Sequence, residues 1–116
     1  MAVIQHVTRQ IRPQALAACV SFYELLGFAK ARQPPSLAER AVWLELGATQ
    51  LHLLLDPDAE PERGHIALVA DDYDRLLATL TDAGHEIEPR REHWGSPRSY
   101  VRDPAGNIVE LMAFAP

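Results

Sequence analysis

Asp103-Pro104-Ala105-Gly106-Asn107-Ile108-Val109-Glu110-Leu111 joins a turn to a strand. Asp and Pro open turns, and Gly or Asn accepts a left-handed backbone. Beyond the turn, residues 108–114 read as a strand. Alternate side chains share a face, so Ile108, Glu110 and Met112 lie on one side and Val109 and Leu111 on the other. The Val109 side suits packing under a helix. The Glu110 side is then the concave side of a curved sheet.

Working back from the turn, residues 99–102 read as a strand, and residues 93–98, with Gly and Pro, as a loop. Residues 85–89 are a short strand. Before them, Tyr73, Leu76, Leu77 and Leu80 recur at helical spacing, with Asp71-Asp72 as cap and acidic first turn and Gly84 as stop. Residues 64–70, Gly64-His65-Ile66-Ala67-Leu68-Val69-Ala70, open this half as a strand on which His65, Ala67 and Val69 share a face. The order is strand, helix, then three strands.

The same order precedes it. Residues 4–10 read as a strand, Pro13 suits a helix start, and residues 15–26 carry Leu16, Cys19, Val20, Tyr23 and Leu26 on one helical face, closed by Gly27. Residues 28–32 form a strand broken by Pro34-Pro35, and residues 41–46 and 50–55 form two strands around a Gly47-Ala48-Thr49 turn. Residues 56–63, polar with two prolines, read as the linker. His6 and His65 stand 59 positions apart, Gly27 and Gly84 57, and His52 and Glu110 58. A near-constant offset points to an internal repeat. The expected fold is α+β: paired βαβββ modules, about 1–56 and 63–116, within a single domain 1–116, forming an open, partly closed eight-stranded cleft.

Composition narrows the function classes. At 47% hydrophobic residues, the 116-residue chain can bury one core. No apolar run approaches the roughly 20 residues of a membrane span, and the N-terminus lacks a signal-peptide pattern. A cytoplasmic protein without a membrane partner is the expectation. The single cysteine, Cys19, fits a reducing compartment and reads as a small buried apolar residue. A net charge of −5 without a basic stripe gives no support for a nucleic-acid partner.

If the modules are related by a pseudo-twofold axis, His6, His52, His65 and Glu110 converge near it. Two imidazoles and one carboxylate leave positions open on a divalent metal, and such a set suits Fe, Mn, Ni, Co or Zn. An open position admits a substrate oxygen or a water whose pKa the metal lowers.

Four stretches carry a family resemblance: Gln5-His6-Val7, Ser21-Phe22-Tyr23-Glu24-Leu25-Leu26-Gly27-Phe28, Gly64-His65-Ile66-Ala67-Leu68, and the turn and strand 103–111. Together they make nearly the whole chain resemble the vicinal-oxygen-chelate superfamily. That superfamily holds glyoxalase I, extradiol dioxygenases, fosfomycin-resistance thiol transferases, methylmalonyl-CoA epimerase and bleomycin-resistance proteins. The resemblance implies the glyoxalase/bleomycin-resistance/dioxygenase fold, a metal on His6, His65 and Glu110, and a homodimer. In several relatives one cleft takes strands from two chains. Glyoxalase I carries a glutamate where this chain has His52, and an imidazole differs from a carboxylate in charge and pKa. His52 is therefore a fourth ligand, a base near the metal, or a residue lining a cavity.

Two functions follow. In the first, a metalloenzyme acts on a small oxygen-chelating substrate by isomerase or lyase, thiol-transferase or dioxygenase chemistry. His52 is then its base, Tyr100 a hydrogen-bond donor, and Trp43, Trp94 and Arg98 its substrate contacts. In the second, the cleft sequesters a drug or metabolite against Trp43, Trp94 and Tyr100 without turnover. Trp94, Arg98 and Tyr100 read equally as a hairpin with ordinary surface aromatics.

Overall fold

The computed structural model describes all residues, Met1–Pro116, and divides into two compact units, Met1–Pro61 and Glu62–Pro116. Each has the order strand, helix, three strands, as the repeat predicts. The fold is α+β, with two helices and two four-stranded mixed sheets.

The first unit holds β1 (His6–Ile11), α1 (Leu16–Leu25), β2 (Ala29–Lys30), β3 (Ala41–Leu46) and β4 (Thr49–Leu55), in sheet order β1-β4-β3-β2. β1 runs parallel to β4, since the helix between β1 and β2 carries the chain across; β3 and β4 are an antiparallel hairpin. The hairpin loop is the two residues Gly47-Ala48, and Thr49 belongs to β4. Gly47 has φ +59°, as the first position of a primed two-residue turn requires. The core takes alternate strand residues, Ile11, Leu44, Leu51 and Leu53, and the α1 residues Cys19, Val20, Phe22 and Tyr23. Phe22, Tyr23 and Phe28 meet edge to face, at 5.1 and 5.5 Å between successive ring centroids. Phe22 joins the buried face that the helical spacing predicted.

β2 is only two residues long, where the sequence promised residues 28–32. The Ala31 amide still reaches the Trp43 carbonyl. Beyond it, the consecutive prolines 34 and 35 offer no amide donor, and the Gln33 side chain takes over. Its carboxamide oxygen accepts from the Trp43 amide at 2.9 Å, and its nitrogen donates to the Ala41 carbonyl at 2.6 Å. A side chain thus replaces the missing ladder and fixes the segment 34–40 beside β3.

The second unit holds β5 (His65–Val69), α2 (Tyr73–Asp82), β6 (Ile87–Arg90), β7 (Arg98–Arg102) and β8 (Ile108–Met112), in order β5-β8-β7-β6. The Asp72 carboxylate caps α2 by accepting from the Arg75 amide, and Tyr73 at its start shares a 2.7 Å hydrogen bond with Ser99 of β7. Val101, Val109, Leu111 and Leu80 are buried. β6 starts two residues later than expected and contains Pro89, which the edge position tolerates. β8 ends at Met112 rather than at residue 114, because the Ala113 and Phe114 amides turn to the buried Ser96 hydroxyl.

The two helices stop in the same way. The Phe28 amide reaches the Tyr23 carbonyl and the His85 amide the Leu80 carbonyl, across Gly27 and Gly84 at φ +103° and +91°.

Candidate functional site

Each sheet has one face of core residues and one face of chemistry. On the first sheet, register places Thr8 and Trp43 on either side of His52, and Gln50 beside His6. His6, Thr8 and Gln10, His52 and Leu54, and Ala41 and Trp43 therefore share a face. The rings on it stack: Trp43 on His52 at 4.2 Å and 3°, and His52 on His6 at 4.2 Å and 14°. Trp43 stands directly opposite His52, whereas His6, opposite Gln50, is two residues out of register, which brings its ring diagonally over His52. Gln50 Oε1 accepts from His52 Nε2 at 2.8 Å, and Gln5 Oε1 accepts from His6 Nδ1 at 2.7 Å. His52 is buried, and burial first, then the neighbouring His6, hold its imidazole below the ordinary value. The stack is thereby kept neutral at its centre. It walls a concavity of about 570 Å³ whose rim carries Leu37, Arg40 and Asp56. Glu45 alternates onto the same face.

On the second sheet, the face is ionic. Tyr100 stands opposite Glu110, and Arg98 is two residues along β7, diagonal to it. The Arg98 guanidinium donates through Nε to Glu110 Oε2 at 3.3 Å and through Nη2 to Oε1 at 3.2 Å. Its Nη1 donates to the Arg91 carbonyl. His65 Nε2 lies 3.1 Å from the same Oε1. The Arg98 and Glu110 side chains are only 9% and 7% exposed, so this pair is largely dry. Burial acts most strongly on Glu110 and raises its carboxyl. Arg98, by hydrogen bond and charge, and then His65, outweigh it together and leave the carboxyl below its ordinary value. The Tyr100 ring sits under Arg90, 4.6 Å from its Cζ, and beside His65, with 5.2 Å between rings.

The residues singled out in the sequence thus fall into two groups. His6, His52 and Trp43 come together in the first unit. His65, Glu110, Arg98 and Tyr100 come together in the second. Trp94 is outside the second unit's group: its indole donates to the Phe114 carbonyl at 2.8 Å. Gln33, which sets the Trp43 backbone, was not foreseen, and only the two prolines after it hinted that a side chain must complete the ladder.

Neither unit by itself gathers three His, Cys, Asp or Glu side chains around one point. In the second unit, both Glu110 oxygens already accept from the Arg98 guanidinium, so a divalent ion there would compete with Arg98 for the carboxylate. No helix is long and apolar enough to cross a membrane.

A family model described as Glyoxalase/Bleomycin resistance protein/Dioxygenase superfamily matches residues 3–111. A solved structure from Bacillus anthracis assigned to the glyoxalase family is 26% identical, over 97% of this chain and 94% of that one, with a TM-score of 0.86. Lactoylglutathione lyase from Agrobacterium tumefaciens is 25% identical over 97% and 93%, with a TM-score of 0.75. The antibiotic binding protein TnmS3 from Streptomyces sp. CB03234, 22% identical over 97% and 95% with a TM-score of 0.77, shares the fold. Among curated proteins, no sequence match is found.

Proposed function

The chain belongs to the glyoxalase/bleomycin resistance protein/dioxygenase superfamily, and from that premise we propose that it binds a planar small molecule on the aromatic face of its first sheet and holds it without turnover. The observation that carries this is the Trp43–His52–His6 stack beside a concavity of about 570 Å³. That volume lies in the range of small-molecule sites, whose walls are mostly apolar with a few polar groups to orient the ligand. A stack of flat rings offers a flat guest the offset contact that aromatic groups prefer, worth about 0.5–1.5 kcal/mol per pair beyond area burial. Thr8, Gln10, Arg40 and Asp56 supply the polar contacts. A neutral His52 adds no charge to desolvate when the guest arrives.

The test is a fluorescence titration with planar polycyclic antibiotics in a Trp94→Phe background, where Trp43 is the only indole. Saturable quenching at one ligand per site, weakened at least tenfold by His52→Ala, is the expected result. Binding that survives loss of both Trp43 and His52 would end the proposal.

One observation favours a second function. His65 lies beside Glu110 at 3.1 Å, two of the three residues on which a divalent ion would rest with His6. The protein would then be a metalloenzyme whose ion supplies Lewis acidity, with His52 as base and Tyr100 orienting the substrate. That arrangement requires Arg98 to release Glu110. The partners in either case are a small molecule and a second copy of the chain, since members of this superfamily often dimerise.

A further inference from the structure

We infer that Arg98 is a resident cation: its guanidinium holds, on Glu110, the place that the family resemblance gives to a divalent ion, and the Glu110 site works without metal. This inference concerns the second sheet and does not depend on the stacking face of the first.

Geometry makes the contact a built one. Nε and Nη2 of Arg98 address the two different oxygens of Glu110, at 3.3 and 3.2 Å, the fork arrangement that guanidinium and carboxylate share. Register fixes it. Glu110 pairs with Tyr100 across β7 and β8, so Arg98 points onto the same face one diagonal step away. The remaining terminal nitrogen is anchored on the Arg91 carbonyl, and the Tyr100 ring lies 5.8 Å from Cζ. The guanidinium is therefore held at three nitrogens.

Exchange for a metal is disfavoured on both sides. An ion on Glu110 would leave Arg98, at 9% exposure, with no carboxylate to balance it, and a dry charge stripped of its partner is costly. The second unit offers the ion His65 and Glu110 alone, fewer than the three protein ligands of an open catalytic zinc site. Arg98 already balances the Glu110 charge, and His65 already shares its Oε1.

The experiment measures Ni(II) and Zn(II) binding by calorimetry to the full chain, Glu110→Gln, Arg98→Met and the double variant. Any binding by His6 and His52 is common to all four and cancels. The parent and Glu110→Gln are expected to agree within twofold. Arg98→Met, checked as folded by near-UV dichroism, is expected to bind at least tenfold more tightly, and the double variant to lose that gain. A parent that binds one equivalent and weakens tenfold on Glu110→Gln overturns the inference, as does a folded Arg98→Met with no gain. Should Arg98→Met not fold, Co(II) is added to the parent and the His65 ring protons are followed by NMR. Lines that stay unshifted support the inference; a paramagnetic shift that Glu110→Gln abolishes contradicts it.

Discussion

The two units repeat one scaffold and furnish it differently. Sheet orders β1-β4-β3-β2 and β5-β8-β7-β6 correspond strand for strand, and both helices end on a left-handed glycine. Yet the first unit presents stacked aromatic rings on its chemical face, and the second presents a carboxylate held by Arg98 with His65 beside it. The helices differ in the same sense. α1 buries Cys19, Val20, Phe22 and Tyr23, whereas α2 buries only Leu80. Backbone pairing and the core face conserve the module. The alternate residues, free of packing duty, decide what each module can hold.

Core substitutions should expose this contrast most strongly. Phe22→Ala opens a cavity in the first unit and is expected to cost about 3–5 kcal/mol in chemical denaturation. Leu76→Ala, on the half-buried face of α2, should cost about 1 kcal/mol. Equal costs would mean that the helices carry their units alike, contrary to their burial.

Gln33→Ala comes next. It removes two good hydrogen bonds and leaves the Trp43 amide and Ala41 carbonyl without that partner, at an expected cost of about 1–2 kcal/mol. Because Gln33 sets the Trp43 backbone, the Trp43 emission should shift as well. An unchanged spectrum with lower stability would separate Gln33 from the stacking face.

Acid should distinguish the units in turn. The folded-state pKa of His52 lies below the ordinary 6.5, so the unfolded chain takes the proton first. Its contribution is complete above about pH 6.5 and is lost as pH falls through the depressed value. Glu110 is likewise depressed, from 4.5, so its contribution is lost only below that. Stability plotted against pH should fall in two stages, the earlier removed by His52→Gln and the later by Glu110→Gln. A single stage would mean that one of these environments is misread.

The smallest effect belongs to the surface. Arg12 and Glu60 form a 2.7 Å pair with side chains 46% and 76% exposed, and Glu60→Ala should change stability by no more than about 0.5 kcal/mol. A larger loss would give the linker region a structural role.

Most of the architecture was legible because local chemistry and periodicity agreed. The turn at 103–107 forms as its residues demand: the Asp103 carboxylate accepts from the Ala105 and Asn107 amides, and Gly106 takes φ +93°. The helix caps and core faces follow the same logic. The strand expected over residues 28–32 shortened to Ala29–Lys30 because the Gln33 side chain, not backbone, continues the ladder, and period-two reasoning sees only backbone. The sequence also assigned Arg98 to a loop. Counting back from the turn would have put Tyr100 opposite Glu110 and Arg98 on the diagonal. The stack needed more than that count, since ring orientation follows from rotamers that three neighbouring strands jointly select. Membership in the superfamily was legible from four short motifs; the partner of Glu110 was not, because motifs name positions and not their contacts.

The proposed function has this chain hold a planar ligand on the Trp43–His52–His6 face without a divalent ion. The most direct measurement is equilibrium dialysis of a planar polycyclic antibiotic against the parent protein, in excess chelator and again with added Ni(II) or Zn(II), with the recovered ligand examined for chemical change. One equivalent should bind at the same affinity in both, with the ligand recovered intact. Binding or turnover that appears only with the metal would contradict it.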